Sequence, residues 1–245
     1  MRIKKIYCLL FLLTGCASFE MPATFCHQTV QTQGFEISLW QKSSDEKAPY
    51  YVFIEGDGHA FNAHGQPTSD PTPQSSFMRR LAAKDTHSNV IYLARPCQFT
   101  KGSRCNKKYW TTARFSPEVI EAEYDALKQI IHHAPVVLIG YSGGAQVAGL
   151  LALQKDLNVK KIITIAGNLD HKAWTDYHKL PPLSQSLNLA DNKEKFAKFE
   201  QLHFVGAKDK VIPPFLTEQF TADPKSVQIL PDASHNKGWD DIQIP

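Results

Sequence analysis

The chain of 245 residues has no run of about 20 apolar residues, the length that a membrane-spanning helix needs. It has no Cys-x-x-Cys and no His-Glu-x-x-His, so the common zinc spacings are missing and no metal is expected. It has no Gly-x-Gly-x-x-Gly and no glycine loop followed by Lys-Ser or Lys-Thr, which removes the two best-marked nucleotide cradles. No low-complexity tract or internal repeat is present, so nothing reads as disorder or as a solenoid. Charge of one sign is also scarce. Arg2, Lys4 and Lys5 account for three of the 27 basic residues, and the other 24 balance 24 acidic ones. Nucleic-acid binding calls for a concentrated basic patch, which the body of the chain does not offer. No cofactor is expected.

What remains has the composition of an ordinary globular protein, 42% hydrophobic and 21% charged, long enough for one domain with a full core. Its first residues have the layout of an export signal. Arg2, Lys4 and Lys5 precede an apolar run from Ile6 to Leu13, which ends in Leu13-Thr14-Gly15-Cys16. Those four residues resemble the bacterial lipobox, in which cleavage precedes the cysteine and the cysteine is lipidated. The resemblance implies a signal peptide over 1–15, a lipid on Cys16, a tether over 16–34 and a domain over 35–245. Ala17 after the cysteine implies, in the enterobacterial sorting pattern, the outer membrane facing the periplasm. The alternative is a plain secretory signal with an incidental cysteine.

Export to an oxidising compartment makes a disulfide plausible. Cys8 would leave with the signal, and Cys16 would be taken by lipid. Cys97 and Cys105 lie eight apart in a stretch rich in Gly, Ser and Lys, and are expected to pair. On a chain-entropy argument so short a loop gains about 2–3 kcal/mol. Cys26 is left over, either free or the partner of a different pairing.

Apolar runs at Tyr50–Ile54, Asn89–Ala94, Pro135–Gly140 and Lys160–Ala166 predict strands covered on both faces. Alternation over Phe35–Trp40 predicts a half-buried strand, and Gln201–Val205 and Ser226–Leu230 predict two more. Helices are expected near 76–84, 117–133, 143–155, 191–199 and 214–220, the second opened by Ser116 and Pro117. Strands alternating with helices give an α/β fold, a mainly parallel twisted sheet with helices on both faces. Two long stretches, 95–116 and 167–199, read as irregular loops that could shape a pocket. Arg95 or Arg114 in the first could hold an acidic substrate group. In such sheets ligands sit beyond the carboxyl ends of the strands.

Gly140-Tyr141-Ser142-Gly143-Gly144 falls at such an end, with an apolar strand before it and a helix after it. A Gly-x-Ser-x-Gly element in that setting is a nucleophile elbow, its serine lifted above the sheet on a tight turn. A phosphate-binding turn is the plainer reading, but no lysine follows in the expected place. A serine needs a base, and on this fold the order is serine, acid, histidine. Of the later histidines His171, His178, His203 and His235, the last follows the final strand, where a base belongs. His203 lies within a predicted strand and reads as core or sheet surface. Asp209, in Gly206-Ala207-Lys208-Asp209, is the expected acid, and Asp170 is the runner-up. For a tetrahedral oxyanion, one donor should be the N–H of Gly143. The second should come from Glu55-Gly56-Asp57-Gly58, as the N–H of Asp57 or of Gly58.

Taken in order, Glu55-Gly56-Asp57-Gly58, Gly140–Gly144, Gly206–Pro213 and Ser234–Trp239 resemble the α/β-hydrolase superfamily over about residues 35–240. The segments around Arg95–Gln98, Tyr109–Ile120 and Ala166–His171 are similar to a group of bacterial lipoproteins of that fold. The early loop carries Glu55 where many lipases carry His, and no helix of any length follows His235. The resemblance implies a serine hydrolase, with carboxylic esters the better expectation, working through an acyl-enzyme. An amide substrate, acyl transfer on the same triad, and a non-catalytic binding lipoprotein of the envelope are the alternatives. A small-molecule substrate, contact with a membrane through the N-terminal lipid, and a monomer are the expected associations.

Overall fold

The structure, a computed structural model, describes residues 19–245, so the expected signal peptide and the lipidation site at Cys16 lie outside it. Its strands are β1 (Cys26–Gln31), β2 (Glu36–Ser43), β3 (Tyr50–Ile54), β4 (Asn89–Leu93), β5 (Pro135–Tyr141), β6 (Asn158–Ile165), β7 (Gln201–Gly206) and β8 (Val227–Leu230). Its α-helices are α1 (Phe77–Lys84), α2 (Pro117–Ile131), α3 (Gly143–Ala152), α4 (His171–His178), α5 (Lys193–Phe196) and α6 (Pro214–Phe220). The strands form one eight-stranded sheet in the order β1-β2-β4-β3-β5-β6-β7-β8. Strand β2 runs antiparallel to both neighbours, and every other pairing is parallel.

The apolar runs are central strands because side chains alternate between two cores. Val52, Ile54, Ile91, Leu93 and Leu138 face one, where residues of α2 and α3 cover them. Phe53, Val90, Tyr92, Val137 and Ile139 face the other, against Met78 and Leu81 of α1. That second layer is completed by the C-terminal segment. Trp239 is fully buried there, and Ile242 and Ile244 pack against the same cluster. All ten residues of α3 are buried, and its Gly, Ala and Val side chains let it lie close on the sheet.

Two stretches differ from expectation. The proposed tether over 16–34 contains β1, an edge strand hydrogen-bonded to β2 from Cys26↔Gln41 to Gln31↔Glu36. Only Val30 of that strand is buried, so no apolar alternation marks it. The stretch 167–199 carries α5 inside the helix expected near 191–199, and it also opens with α4, which was not expected. Asp170 caps that helix through Oδ1, which accepts from the N–H groups of Lys172 (3.0 Å) and Ala173 (3.1 Å).

From β3 the chain moves to β4 on one side, then crosses back to β5 on the other. The strand order reverses between β3 and β5, and the crevice beyond their carboxyl ends is where such a sheet admits a ligand. Glu55 follows β3 directly, and Ser142 follows β5.

Candidate active site

Ser142 joins β5 to α3 with φ 52° and ψ −121°, a conformation that a non-glycine residue seldom adopts. Neighbouring chain holds it there. Its N–H donates to the Ile165 carbonyl at 3.0 Å, and its own carbonyl accepts from the Asn168 N–H at 3.0 Å. The turn is too tight for side chains at its ends. A Cβ on Gly140 would strike the backbone of Ala145, and one on Gly144 would press within 2.6 Å of the Glu55 carbonyl oxygen. Strained residues held by their surroundings cluster at functional sites.

His235 comes from the loop after β8, and its Nε2 lies 3.0 Å from Ser142 Oγ. On the other side its Nδ1 lies 2.9 Å from Asp209 Oδ2. A carboxylate only accepts, so Nδ1 carries the proton and Nε2 is left to accept from the serine hydroxyl. Asp209 is buried, and its second oxygen accepts from the N–H groups of Val211 (2.8 Å) and Ile212 (2.9 Å). The structure therefore brings Ser142, Asp209 and His235 into one hydrogen-bonded line, whereas Asp170 is occupied as the cap of α4. His203 is fully buried between Thr164 Oγ1 (2.8 Å) and Gln201 Oε1 (3.0 Å), and burial lowers its pKa to about 4.

The His235 loop is held by residues whose supporting role the motifs did not reveal. Tyr141 Oη lies 3.0 Å from the His235 carbonyl oxygen and 2.7 Å from Asn236 Oδ1, and Trp239 Nε1 donates to the same carbonyl at 3.1 Å. Burial, with the Glu55 and Asp209 carboxylates nearby, pushes the Tyr141 phenol well above its ordinary range and keeps it a donor. The position before the serine was legible as a motif site, but its partner 94 residues away was not.

Opposite Ser142 lies the loop Glu55–Gly58. Glu55 turns back on its own strand end, accepting from the Gly56 N–H at 2.9 Å and from Tyr92 Oη at 2.7 Å. Burial raises its pKa against those two donors. The Asp57 carboxylate stands beside Gly143, where a Cβ would collide with Oδ1. Two arginines offset that charge. Arg114 Nη1 donates to Asp57 Oδ2 at 2.5 Å, and Arg95 Nη1 lies 3.6 Å from Oδ1. Arg95 also donates through Nε to the buried Glu123 at 2.7 Å, and burial raises the pKa of Glu123 to about 7 despite that partner. Both guanidinium groups are buried on protein partners, so neither stands free for an acidic substrate group.

Among the described residues, the N–H groups of Gly143, Asp57 and Gly58 make no hydrogen bond. Cys97 and Cys105 are joined by a disulfide that ties the loop carrying Arg95 and Arg114, and Cys26 is free and exposed. A cleft of about 440 Å³ opens over Ser142, walled by Asp57, Gly58, His59, Gln74, Tyr141 and His235 among others. The segment between β3 and α1 supplies His59, Pro73, Gln74 and Ser75 to that wall. Among the described residues no group of three or more His, Cys, Asp or Glu is placed to hold a metal, and no helix is long and apolar enough to cross a membrane.

No family model matches the chain, and no curated protein matches it. Solved structures do. A bacterial membrane phospholipase A aligns at 16% identity and TM-score 0.56, over 86% of this chain and 80% of that one. A serine hydrolase homologue from Coxiella burnetii aligns at 16% identity and TM-score 0.56, over 89% and 92%. A puromycin-hydrolysing peptidase from Mycobacterium tuberculosis aligns at 16% identity and TM-score 0.58, over 86% of this chain and 36% of that one. Strand order, crossover point and these neighbours agree: the chain has the α/β-hydrolase fold.

Proposed function

We propose that this protein is a serine hydrolase that cleaves carboxylic esters through an acyl-enzyme. The observation that carries the reading is the line Ser142 Oγ, His235 Nε2, His235 Nδ1 and Asp209 Oδ2, with contacts of 3.0 and 2.9 Å. It meets the geometric requirement for a nucleophile, its base and the group that orients the base. The fold shared with hydrolases, lipases and peptidases is consistent with it.

In the first half-reaction Ser142 Oγ attacks the ester carbonyl carbon while its proton passes to His235 Nε2. The carbonyl π pair moves onto oxygen, where the N–H groups of Gly143 and the Asp57 loop receive the charge. Asp209 stabilises the imidazolium and keeps its orientation. Collapse of the adduct breaks the bond to the alkoxy oxygen, which takes the proton from Nε2 and leaves as alcohol. Water then attacks the acyl-enzyme, giving a proton to Nε2. The second collapse breaks the bond to Ser142 Oγ, returns that proton to it and releases the carboxylic acid. Esters are the better expectation because this reading requires no specialised site for an amine leaving group.

The proposal includes the station of the protein, a lipid anchor on Cys16 at the outer membrane facing the periplasm. Globomycin treatment of expressing cells tests the anchor, since retention of an unprocessed precursor is expected and unchanged processing contradicts it. The reaction is tested by ester turnover with and without added alcohols. Carboxylic acid as the product under both conditions supports hydrolysis. A product ester in their presence would make the protein an acyltransferase, and no turnover of any ester would remove the reading.

A further inference from the structure

We infer that the second oxyanion donor is the N–H of Asp57, and that Gln98 is the residue that aims it. The inference rests on the serine-hydrolase reading and deepens it.

Gln98 is buried under the loop Glu55–Gly58, at 1% exposure. Its Nε2 donates to the Gly56 carbonyl at 3.0 Å, and its Oε1 accepts from the Arg95 N–H at 3.0 Å. Those two partners fix which end of the amide is which, because the reverse orientation would set oxygen against oxygen and N–H against N–H. The peptide between Gly56 and Asp57 is trans and planar, so its C=O and its N–H point in opposite directions. Gln98 draws the carbonyl under the loop. The Asp57 N–H is thereby turned the other way, and it makes no hydrogen bond among the described residues. Ser142 lies close by, since a Cβ on Gly56 would stand 3.3 Å from Ser142 Cβ. The cleft over Ser142 is lined by Asp57, and Gln98 is not among its walls.

Gln98 is held more firmly than a loop residue needs to be. The residues on either side, Cys97 (φ 68°) and Phe99 (φ 61°), both take the left-handed conformation without being glycine. Such conformations persist where surrounding structure imposes them, and they gather at functional sites. Here Cys97 is bonded to Cys105, the Gln98 N–H donates to the Arg95 carbonyl at 3.1 Å, and the Phe99 N–H donates to Thr72 Oγ1 at 2.9 Å. The disulfide, the strained turn and the amide form one support, and its tip touches the peptide that carries the Asp57 N–H.

The test compares Gln98→Glu and Gln98→Met with wild type, using ester turnover normalised by active-site titration. Glutamate keeps the acceptor for Arg95 and loses the donor to Gly56, while methionine loses both without adding charge. Each is expected to lower kcat about 30- to 100-fold, the scale of a misplaced oxyanion donor, with KM within about twofold. Affinity for an alkyl boronate, which forms a tetrahedral adduct on the serine, should fall in parallel. Normalisation keeps the outcome readable if one variant folds poorly. A lower melting point with unchanged kcat per titrated site would make Gln98 a structural staple and overturn the inference, as would a loss confined to KM. Wild-type protein that neither turns over esters nor reacts with a fluorophosphonate would fail the underlying reading itself.

Discussion

His235 stands between Ser142 and Asp209 with its Nε2 3.0 Å from the serine oxygen and its Nδ1 2.9 Å from the carboxylate. Because Asp209 accepts on both oxygens from Val211, Ile212 and His235, it has little freedom to turn away. Asp209→Asn keeps the shape but offers an amide to Nδ1, which favours the wrong tautomer. The expected result is a fall in kcat of about 10³- to 10⁴-fold with little change in melting temperature. Steady-state kinetics beside a thermal melt checks both halves.

Asp57 places a negative charge next to Gly143, where the transition state also gathers negative charge. Arg114 is its partner at 2.5 Å. Arg114→Leu should therefore lower kcat by about tenfold or more, since an unpaired charge in a poorly solvated site acts strongly. Adding Asp57→Asn removes the charge while keeping the backbone N–H. The double variant should recover most of the lost rate, a non-additivity that a double-mutant cycle measures directly.

The Cys97–Cys105 disulfide closes a short loop whose residues carry the support of the Asp57 peptide. Replacing both cysteines with serine should cost about 2–3 kcal/mol of stability on the chain-entropy argument. It should also lower kcat, because Gln98 sits next to Cys97. Urea unfolding and kinetics on the same preparation separate the two effects.

His203 is uncharged in the core, its pKa lowered by burial to about 4. An unfolded histidine titrates near pH 6.5. The unfolded state thus binds the extra proton first, so the stability contributed by the neutral ring is complete above pH 6.5 and is lost as pH falls towards 4. The difference in pKa corresponds to about 3 kcal/mol. His203→Gln should show a flatter stability profile between pH 6.5 and 4 than wild type, measured by urea unfolding at each pH.

Much of this architecture is legible in the residues themselves. The runs at Tyr50–Ile54 and Pro135–Tyr141 are strands because both faces are covered, and both end at the crevice. Ser142 is marked by small neighbours that a tight turn demands. Polar β1 leaves no such trace, because an edge strand with one buried side chain has no alternation to read. Asp170 looked like a spare acid because capping and catalysis draw on the same carboxylate, and only its contacts with Lys172 and Ala173 distinguish them. Arg95 and Arg114 looked available because sequence does not show that Asp57 and Glu123 occupy them. Gln98 was silent because its partner, Gly56, is 42 residues away.

The most direct test of the central claim is labelling with a fluorophosphonate probe, which reacts with a serine only when a working base and oxyanion site activate it. Native wild-type protein should label at Ser142, identified by peptide mass spectrometry, and Ser142→Ala should remain folded and unlabelled. Absence of labelling in native wild type, or labelling that persists in Ser142→Ala, would contradict the account.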